Sequence, residues 1–215
     1  MTFLGIDLIV KGGFMMIPII LGSIIALGLT IERIIYFRKL KFNSNVFIKE
    51  VFNKISENKI EEAVNLCDNV ENPLAAIYKK GLENIDESPQ EIEKQIEIEA
   101  TNQVADYEKN LPHLLTIVAI EPMLGFLGTI LGLIQAFMSW EQFGADITVE
   151  QLAGGIYQAM ITTAAGLIVA IPFYVVYHIF IYIINKLVSD LNIHGENFIS
   201  FTSKHKRKLR ENNEN

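Results

Sequence analysis

The sequence predicts an all-α integral membrane protein with three transmembrane helices and a cytoplasmic helical hairpin domain, in which long helices continue from the membrane into the cytoplasm. Of the 215 residues, 50% are hydrophobic, yet 20% are charged. That mixture is typical of a membrane protein with a sizeable soluble part. Three apolar segments are each long enough to cross a bilayer as a helix, which takes about 20 residues. Acidic sequence with apolar residues at helical spacing separates the first segment from the second.

The N-terminal part is predicted to contain a periplasmic or interfacial segment, residues 1–12, and transmembrane helix 1 over 13–36. Residues 1–12 lack the basic region and the cleavage site of a signal peptide, so we expect them to be retained. They form either a short amphipathic helix on the membrane surface or a frayed terminus. A basic cluster follows helix 1, formed by Arg38, Lys39 and Lys41. By the positive-inside rule, that end is cytoplasmic and the N-terminus is periplasmic.

Residues 37–111 are predicted to form the cytoplasmic helical domain. Pro73 follows a polar break and is expected to open a short helix, and Ser88 is expected to cap a long one. Because no helix breaker follows before Pro112, the long helix is predicted to extend roughly 35 Å into the cytoplasm before it enters the bilayer. A solvated spacer is the alternative interpretation of this region.

The second half of the chain predicts two further spans. Transmembrane helix 2 covers 112–140 and ends at Trp140, a residue typical of the outer membrane interface. The loop 141–151 carries acidic residues and no Lys or Arg, as expected on the periplasmic side. Helix 3 covers 152–185 and returns inward to a basic tail, 186–215, which is predicted to be cytoplasmic. A basic tail can bind nucleic acid, but beside a membrane helix it indicates a cytoplasmic flank, and we expect no nucleic-acid partner.

Small and polar residues interrupt the second and third spans. They are Gly125, Gly128, Thr129 and Gly132 in helix 2, and Gly154, Gly155, Gln158, Thr162, Thr163 and Gly166 in helix 3. Small residues allow close approach of helix backbones in lipid, so Gly125, Gly128, Gly132 and Gly166 are predicted to pack helices together. Thr129 and Gln158 each lie roughly 15 Å below the outer end of their helix by the helical rise. That common depth predicts one shared polar site near the middle of the bilayer.

The sequence offers no catalytic or metal-binding pattern. Cys67 is the single cysteine, so no disulfide forms within the chain, and its surroundings predict a small core residue. The four histidines show no paired ligand spacing. We therefore expect no metal, no cofactor and no enzymatic activity.

Three stretches carry a family resemblance. The strings EPMLGFLGTILGLIQAF and GGIYQAMITTAAGLIVAIP resemble the paired motifs of the MotA/TolQ/ExbB family of proton channels, and AVNLCDNVENPLAAIYKKGL resembles the cytoplasmic domain of that family. The similarity covers nearly the whole chain. Three spans resemble ExbB and TolQ more than the flagellar stator branch, whose members usually have four.

The resemblance implies an inner-membrane subunit of an ion-driven motor. Five copies would surround two copies of a single-span partner resembling ExbD or TolR, whose intramembrane aspartate carries the ion, which the resemblance implies is a proton. The complex would pass ion-motive force to a TonB-like or TolA-like transducer for envelope transport or integrity. A sodium-driven motor of the same architecture and a non-conducting scaffold that stabilises a partner helix are the alternatives.

The resemblance also implies roles for individual residues. Thr129 matches the threonine of the family motif LLGT, and Thr163, with Thr162 beside it, matches the threonine of the following helix. Their implied role is to hydrogen-bond the carrier carboxylate and ordered water. The alternative is helix packing, since membrane threonines commonly bond their own backbone.

Two positions depart from the family pattern. Gln158 stands where many ExbB and TolQ members carry glutamate, and glutamine cannot titrate, although it can coordinate a cation or orient water. Glu121 stands where the family usually has a small residue before the proline. A carboxylate in a membrane segment is costly, so Glu121 is either an inner station of the ion path or a hydrated carboxylate at the cytoplasmic interface.

Overall fold

The computed structural model describes residues 2–40, 44–146 and 148–213, and this part of the chain is helical without any strand. The helices are α1 (Thr2–Lys11), α2 (Met16–Lys39), α3 (Ser44–Ser56), α4 (Ile60–Asp68), α5 (Pro73–Glu83), α6 (Pro89–Glu108), α7 (Leu111–Phe143) and α8 (Val149–Asn213). Among the residues that the structure describes, three stretches are long and apolar enough to cross a membrane: Met16–Lys39, Pro89–Phe143 and Leu152–Arg207. The predicted all-α membrane protein with three spanning helices is therefore confirmed.

The chain divides into two compact units, which we describe separately. The membrane unit comprises the described residues up to Ile35 and Asn110–Phe180. The second unit comprises the described residues of Tyr36–Lys109 and those from Ile181 onward. Of the predicted basic cluster, Lys41 lies outside the described residues.

The membrane unit turns large apolar side chains outward. Phe14, Met123 and Ile168 are 75%, 68% and 71% exposed in a single copy of the chain. Lipid tails are as apolar as these side chains, so such faces need no protein cover in a bilayer. Large apolar residues such as Ile19 and Leu114 are buried in this unit, but many of its other buried positions are small or polar, so close backbone packing contributes to holding it together.

The helix predicted to run without a break toward Pro112 is interrupted. Helix α6 ends at Glu108 and α7 begins at Leu111, with Asn110 in the left-handed conformation at φ 67°. Asparagine tolerates this conformation better than most residues. Pro112 cannot donate a backbone hydrogen bond and restrains the residue before it, so the preceding helix ends here.

The connection between α7 and α8 is shorter than the predicted loop 141–151. Helix α7 continues past Trp140 to Phe143, a 3₁₀ turn covers Gly144–Asp146, and α8 begins at Val149, with Ile147 outside the described residues. Gly144 has φ 53° and ψ -123°, a backbone conformation that glycine adopts without the strain that a Cβ would bring. Helix α8 then continues through the predicted boundary at 185/186 to Asn213.

The second unit has a hydrophobic core of its own. Phe52 stacks on Phe201 with ring centroids 4.2 Å apart, and Tyr78 packs on Phe198 at 5.0 Å. The Tyr78 hydroxyl donates a hydrogen bond to the His194 carbonyl oxygen at 3.3 Å. Within this unit, α5 and α6 therefore pack with the C-terminal part of α8 as a domain, and a solvated spacer does not describe it.

In this unit the predicted start of α5, the predicted cap of α6 and the predicted burial of Cys67 are confirmed. Asn72 caps α5, which starts at Pro73, by accepting a hydrogen bond from the Leu74 N–H at 2.9 Å. Ser88 Oγ accepts from the Glu91 N–H at 3.3 Å and so caps α6 as predicted. Cys67 is 4% exposed, which confirms it as a core residue, and burial raises the pKa of its thiol to about 12.

Candidate ion pathway

Helices α7 and α8 meet along a line of glycines, which we call the glycine seam: Gly125, Gly128 and Gly132 of α7 with Gly155 and Gly166 of α8. A Cβ atom built on Gly132 would lie 2.6 Å from the Gly155 carbonyl oxygen, and one on Gly155 would lie 2.6 Å from the Gly132 carbonyl oxygen. The residue numbers rise on one helix as they fall on the other, so the two helices are antiparallel.

The seam continues inward past the threonines. A Cβ on Gly125 would lie 2.9 Å from the Thr162 carbonyl oxygen, and one on Gly166 would lie 2.5 Å from the Glu121 carbonyl oxygen. These atoms belong to the backbone and cannot rotate away. The absence of side chains along the seam therefore sets the distance between α7 and α8.

The hydroxyl group of each of the three candidate threonines donates a hydrogen bond to a backbone carbonyl oxygen of the chain. Thr162 is fully buried against Gly128 and donates to the Ala159 carbonyl oxygen at 2.9 Å. Thr163 donates across the seam to the Gly125 carbonyl oxygen at 3.0 Å. Thr129 is half-buried and donates to the Phe126 carbonyl oxygen of its own helix at 2.5 Å.

Gln158 lies against the N-terminal end of α2. A Cβ on Gly13 would lie 2.9 Å from the Gln158 side-chain amide carbon, and Gly13 has φ 70°, a value that favours glycine. No hydrogen bond links Gln158 to Thr129 in the described structure. Their predicted shared site is thus not formed by direct contact within one copy, and it stays a prediction for the assembled protein.

Glu121 lies at the junction of three helices. It is 1% exposed, and its Oε2 atom has no hydrogen-bond partner. Its carboxyl group faces Gly22 of α2, while its backbone carbonyl meets Gly166 of α8. Within one copy of the chain the structure therefore places Glu121 in a dry position, in contrast to the hydrated interfacial carboxylate that the sequence left open.

Sequence analysis missed the contribution of α2. Ala26, Thr30 and Arg33 are buried on this helix, and Gly22 precedes them by one turn on the same face. Glu32 pairs with Arg33 and also accepts a hydrogen bond from the Asn110 side chain at 3.2 Å. The sequence signal for this face of α2 is the spacing of its small and polar residues, which recur every three or four positions.

No metal-binding cluster of three or more His, Cys, Asp or Glu residues occurs among the residues that the structure describes. The five candidate site residues of the membrane unit instead offer three hydroxyls, one amide and one carboxyl. Such groups can bind water, a proton or a partner carboxyl group.

Residues 69–193 match the sequence profile of the MotA/TolQ/ExbB proton channel family. The chain belongs to this family. The matched residues contain the whole glycine seam and Glu121, whereas α2 with Gly22 lies outside them. Within the family, the chain is similar to ExbB and TolQ proteins.

Three relatives illustrate that similarity. Putative biopolymer transport protein ExbB-like 1 of Synechocystis sp. is 31% identical over 77% of this chain and 66% of its own length. The putative biopolymer transport protein ExbB homolog of Methanothermobacter thermautotrophicus is 30% identical, over 66% of this chain and 50% of its own. The Tol-Pal system protein TolQ of Haemophilus influenzae is 34% identical over 41% of this chain and 38% of its own. The chain spans about two thirds or less of each of these relatives.

Proposed function

We propose that this protein is the channel-forming subunit of an ion-driven motor complex of the ExbB/TolQ type in a bacterial inner membrane. The observation that carries the proposal is the antiparallel α7–α8 pair, which presents three hydroxyl groups beside a glycine seam in a chain of the proton channel family. Such a pair gives a carrier from a partner protein a narrow, polar surface within the membrane.

The proposed assembly has five copies of this chain around two copies of a single-span, ExbD/TolR-like partner with an intramembrane aspartate. The exposed apolar side chains of the membrane unit give such neighbours and lipid ample surface. The N-terminus is proposed to be periplasmic and the C-terminus cytoplasmic, because basic residues flank the inner ends of the spans. Force would pass to a TonB-like or TolA-like transducer for envelope transport or integrity.

The proposed ion path uses Thr129, Gln158, Thr162, Thr163 and Glu121. A threonine hydroxyl that donates to a backbone carbonyl still keeps lone pairs that accept a hydrogen bond. A protonated partner aspartate could therefore donate to Thr129, the one threonine of the three whose hydroxyl bond lies at an exposed position. Thr162, which is buried, and Thr163, which bonds across the seam, would hold the backbone geometry behind it.

The proposed ion is the proton. Glu121 can bind and release a proton, whereas Gln158 cannot titrate and would orient water or the carrier. In a sodium-driven motor of the same architecture, the Gln158 side-chain oxygen would instead serve as a neutral ligand. Glutamate at this position would then change the ion dependence.

One observation favours the alternative of a non-conducting scaffold. Thr129, Thr162 and Thr163 each donate to a backbone carbonyl within this chain. Their hydroxyls could thus serve helix packing alone. In that case the protein would hold a partner helix without passing ions.

Ion flux in liposomes separates these proposals. The full chain, reconstituted with its single-span partner, is tested with separate proton and sodium gradients. We expect Thr129→Val to reduce proton flux at least about 10-fold, the effect of roughly 1.4 kcal/mol, while the complex stays assembled. Gln158→Glu should retain proton flux.

Unchanged flux in Thr129→Val would remove this helix face from the ion path. Absence of flux under either gradient, in an assembled complex, would support the scaffold. Flux that follows the sodium gradient would identify the sodium-driven alternative.

A further inference from the structure

The carboxyl group of Glu121 is buried without the partners that a charge requires. The residue is 1% exposed and Oε2 accepts no hydrogen bond. A carboxylate is stable away from water only when it is paired or hydrogen-bonded, and otherwise it binds a proton and becomes neutral. The contacts of Glu121 therefore indicate whether the structure accommodates the charged carboxylate or the neutral acid.

Gly22 makes the space that this carboxyl group occupies. A Cβ atom on Gly22 would overlap the Glu121 Oε1 atom and lie 3.1 Å from the carboxyl carbon, while its distance of 3.6 Å to the nearest Ile117 methyl group is ordinary. Behind Glu121, its backbone carbonyl fits against Gly166. Glycines on two neighbouring helices thus enclose the residue.

No charged group on these helices lies level with the carboxyl group. The titratable or charged residues nearest in sequence to the contact are Glu32 and Arg33 of α2, His113 and Glu141 of α7, and Tyr157 and Tyr174 of α8; Lys11 precedes α2. We compare each of them with the contact residue of its own helix, which is Gly22 for α2, Glu121 for α7 and Gly166 for α8. The separation along the chain is at least two helical turns in every case, roughly 12 Å on a helix. Compensation by a nearby cation is therefore not what stabilises Glu121.

We propose that Glu121 is a proton-binding site enclosed within a single copy of the chain, and that Gly22 is the positioning residue that allows α2 to close over it. This inference rests on the proposed proton-conducting function and assigns α2 a part in it. The ligand is a proton because a hard metal cation takes several converging oxygen ligands, whereas Oε2 has no polar partner.

Proton occupancy is thereby coupled to the packing of α2. The neutral acid fits the closed site. When its O–H bond breaks, the proton passes to water and the remaining carboxylate needs hydration, which requires α2 to move away from α7 at Gly22. Glu121 binds its proton in the closed arrangement and exchanges it in the open one.

Infrared difference spectroscopy on the full chain in liposomes tests the site directly. The carbonyl stretching band of a protonated carboxylic acid in a dry environment is followed as the pH is stepped upward. We expect such a band in the wild type and its loss in Glu121→Gln, which preserves the size of the side chain. A spectrum without a band that depends on Glu121 would overturn the proposal.

Two alanine variants on the same helix test the role of Gly22. Gly22→Ala should displace the carboxyl group and shift the band to the position of a hydrated acid, or abolish it at neutral pH. Gly28→Ala is the matched control, because a Cβ there meets no atom within 4 Å, and its band should equal that of the wild type. A wild-type band in Gly22→Ala would overturn the positioning role.

If Gly22→Ala folds poorly, a double variant tests the positioning role of Gly22 instead. Since the added Cβ overlaps only the carboxyl group, Gly22→Ala combined with Glu121→Ala should recover the thermal stability of Glu121→Ala alone. Failure to recover it would show that the space at Gly22 serves another contact, and would overturn the positioning role.

Proton flux and the infrared band, measured in liposomes that hold the full chain assembled with its single-span partner, distinguish this inference from the proposed function. A band that depends on Glu121 in liposomes without flux supports the enclosed site and contradicts the proposed channel. Flux without such a band retains the channel and overturns the enclosed site.

Discussion

The glycine seam can be tested by adding one methyl group. In Gly132→Ala, the new Cβ would lie 2.6 Å from the Gly155 carbonyl oxygen and 2.9 Å from the Ala159 Cβ. Carbon atoms at optimal separation are about 3.5–4.0 Å apart, so α7 and α8 must separate by roughly 1 Å. Overpacking of this kind costs about 1–3 kcal/mol.

Gly154→Ala is the matched control for this substitution. Gly154 lies on α8, one residue before a seam glycine, and a Cβ there meets nothing within 4 Å. Alanine is favoured over glycine in a helix by up to about 1 kcal/mol, so this variant should be neutral or more stable. The two variants share the same chemical change and differ only in the space around it.

The measurement is the free energy of unfolding of the monomeric chain in mixed micelles, obtained by denaturant titration. We expect Gly132→Ala to be less stable than Gly154→Ala by about 1–3 kcal/mol. Equal stabilities would mean that α7 and α8 do not pack at the distance described, and the account of the seam would be wrong.

Three further predictions concern Cys67 and the topology of the chain. Burial and the raised pKa of about 12 should slow alkylation of Cys67 near pH 8 by at least about 100-fold relative to the unfolded chain, measured by mass spectrometry. Its neutral thiol contributes stability below the ordinary value near 9.0, and this contribution is lost as the pH rises toward about 12, so the midpoint of alkaline unfolding should rise in Cys67→Ala. For topology, an impermeant thiol reagent added from the periplasmic side should label Asp146→Cys and spare Lys206→Cys in a Cys67→Ser background. The reverse pattern would contradict the proposed orientation.

The number of spans and the position of the seam could be predicted because both depend on local sequence. Span length follows from runs of apolar residues, and glycines three or four residues apart share one face of a helix. The caps at Asn72 and Ser88 involve neighbours within three residues. Each of these features is decided by a single stretch of chain.

The contacts of Gln158 and Glu121 could not be predicted in the same way. They depend on how α2 and the residues before it lie against α7 and α8, and the spacing of Gly22, Ala26 and Thr30 marks a packing face on α2 without identifying the residues that meet it. Gly13 and Gly22 carry no side chain that would signal their partners. The break at Asn110 was missed because asparagine is an ordinary helix residue until tertiary context selects its left-handed form.

The reciprocal contact at the centre of the seam also constrains how this sequence can change over time. Gly132 and Gly155 each approach the carbonyl oxygen of the other, so substitution of either one alone produces an overlap. Substitution of both adds a second overlap instead of relieving the first. Because no order of single replacements avoids this, we expect sequence drift to leave the pair unchanged while the lipid-facing residues around it vary freely.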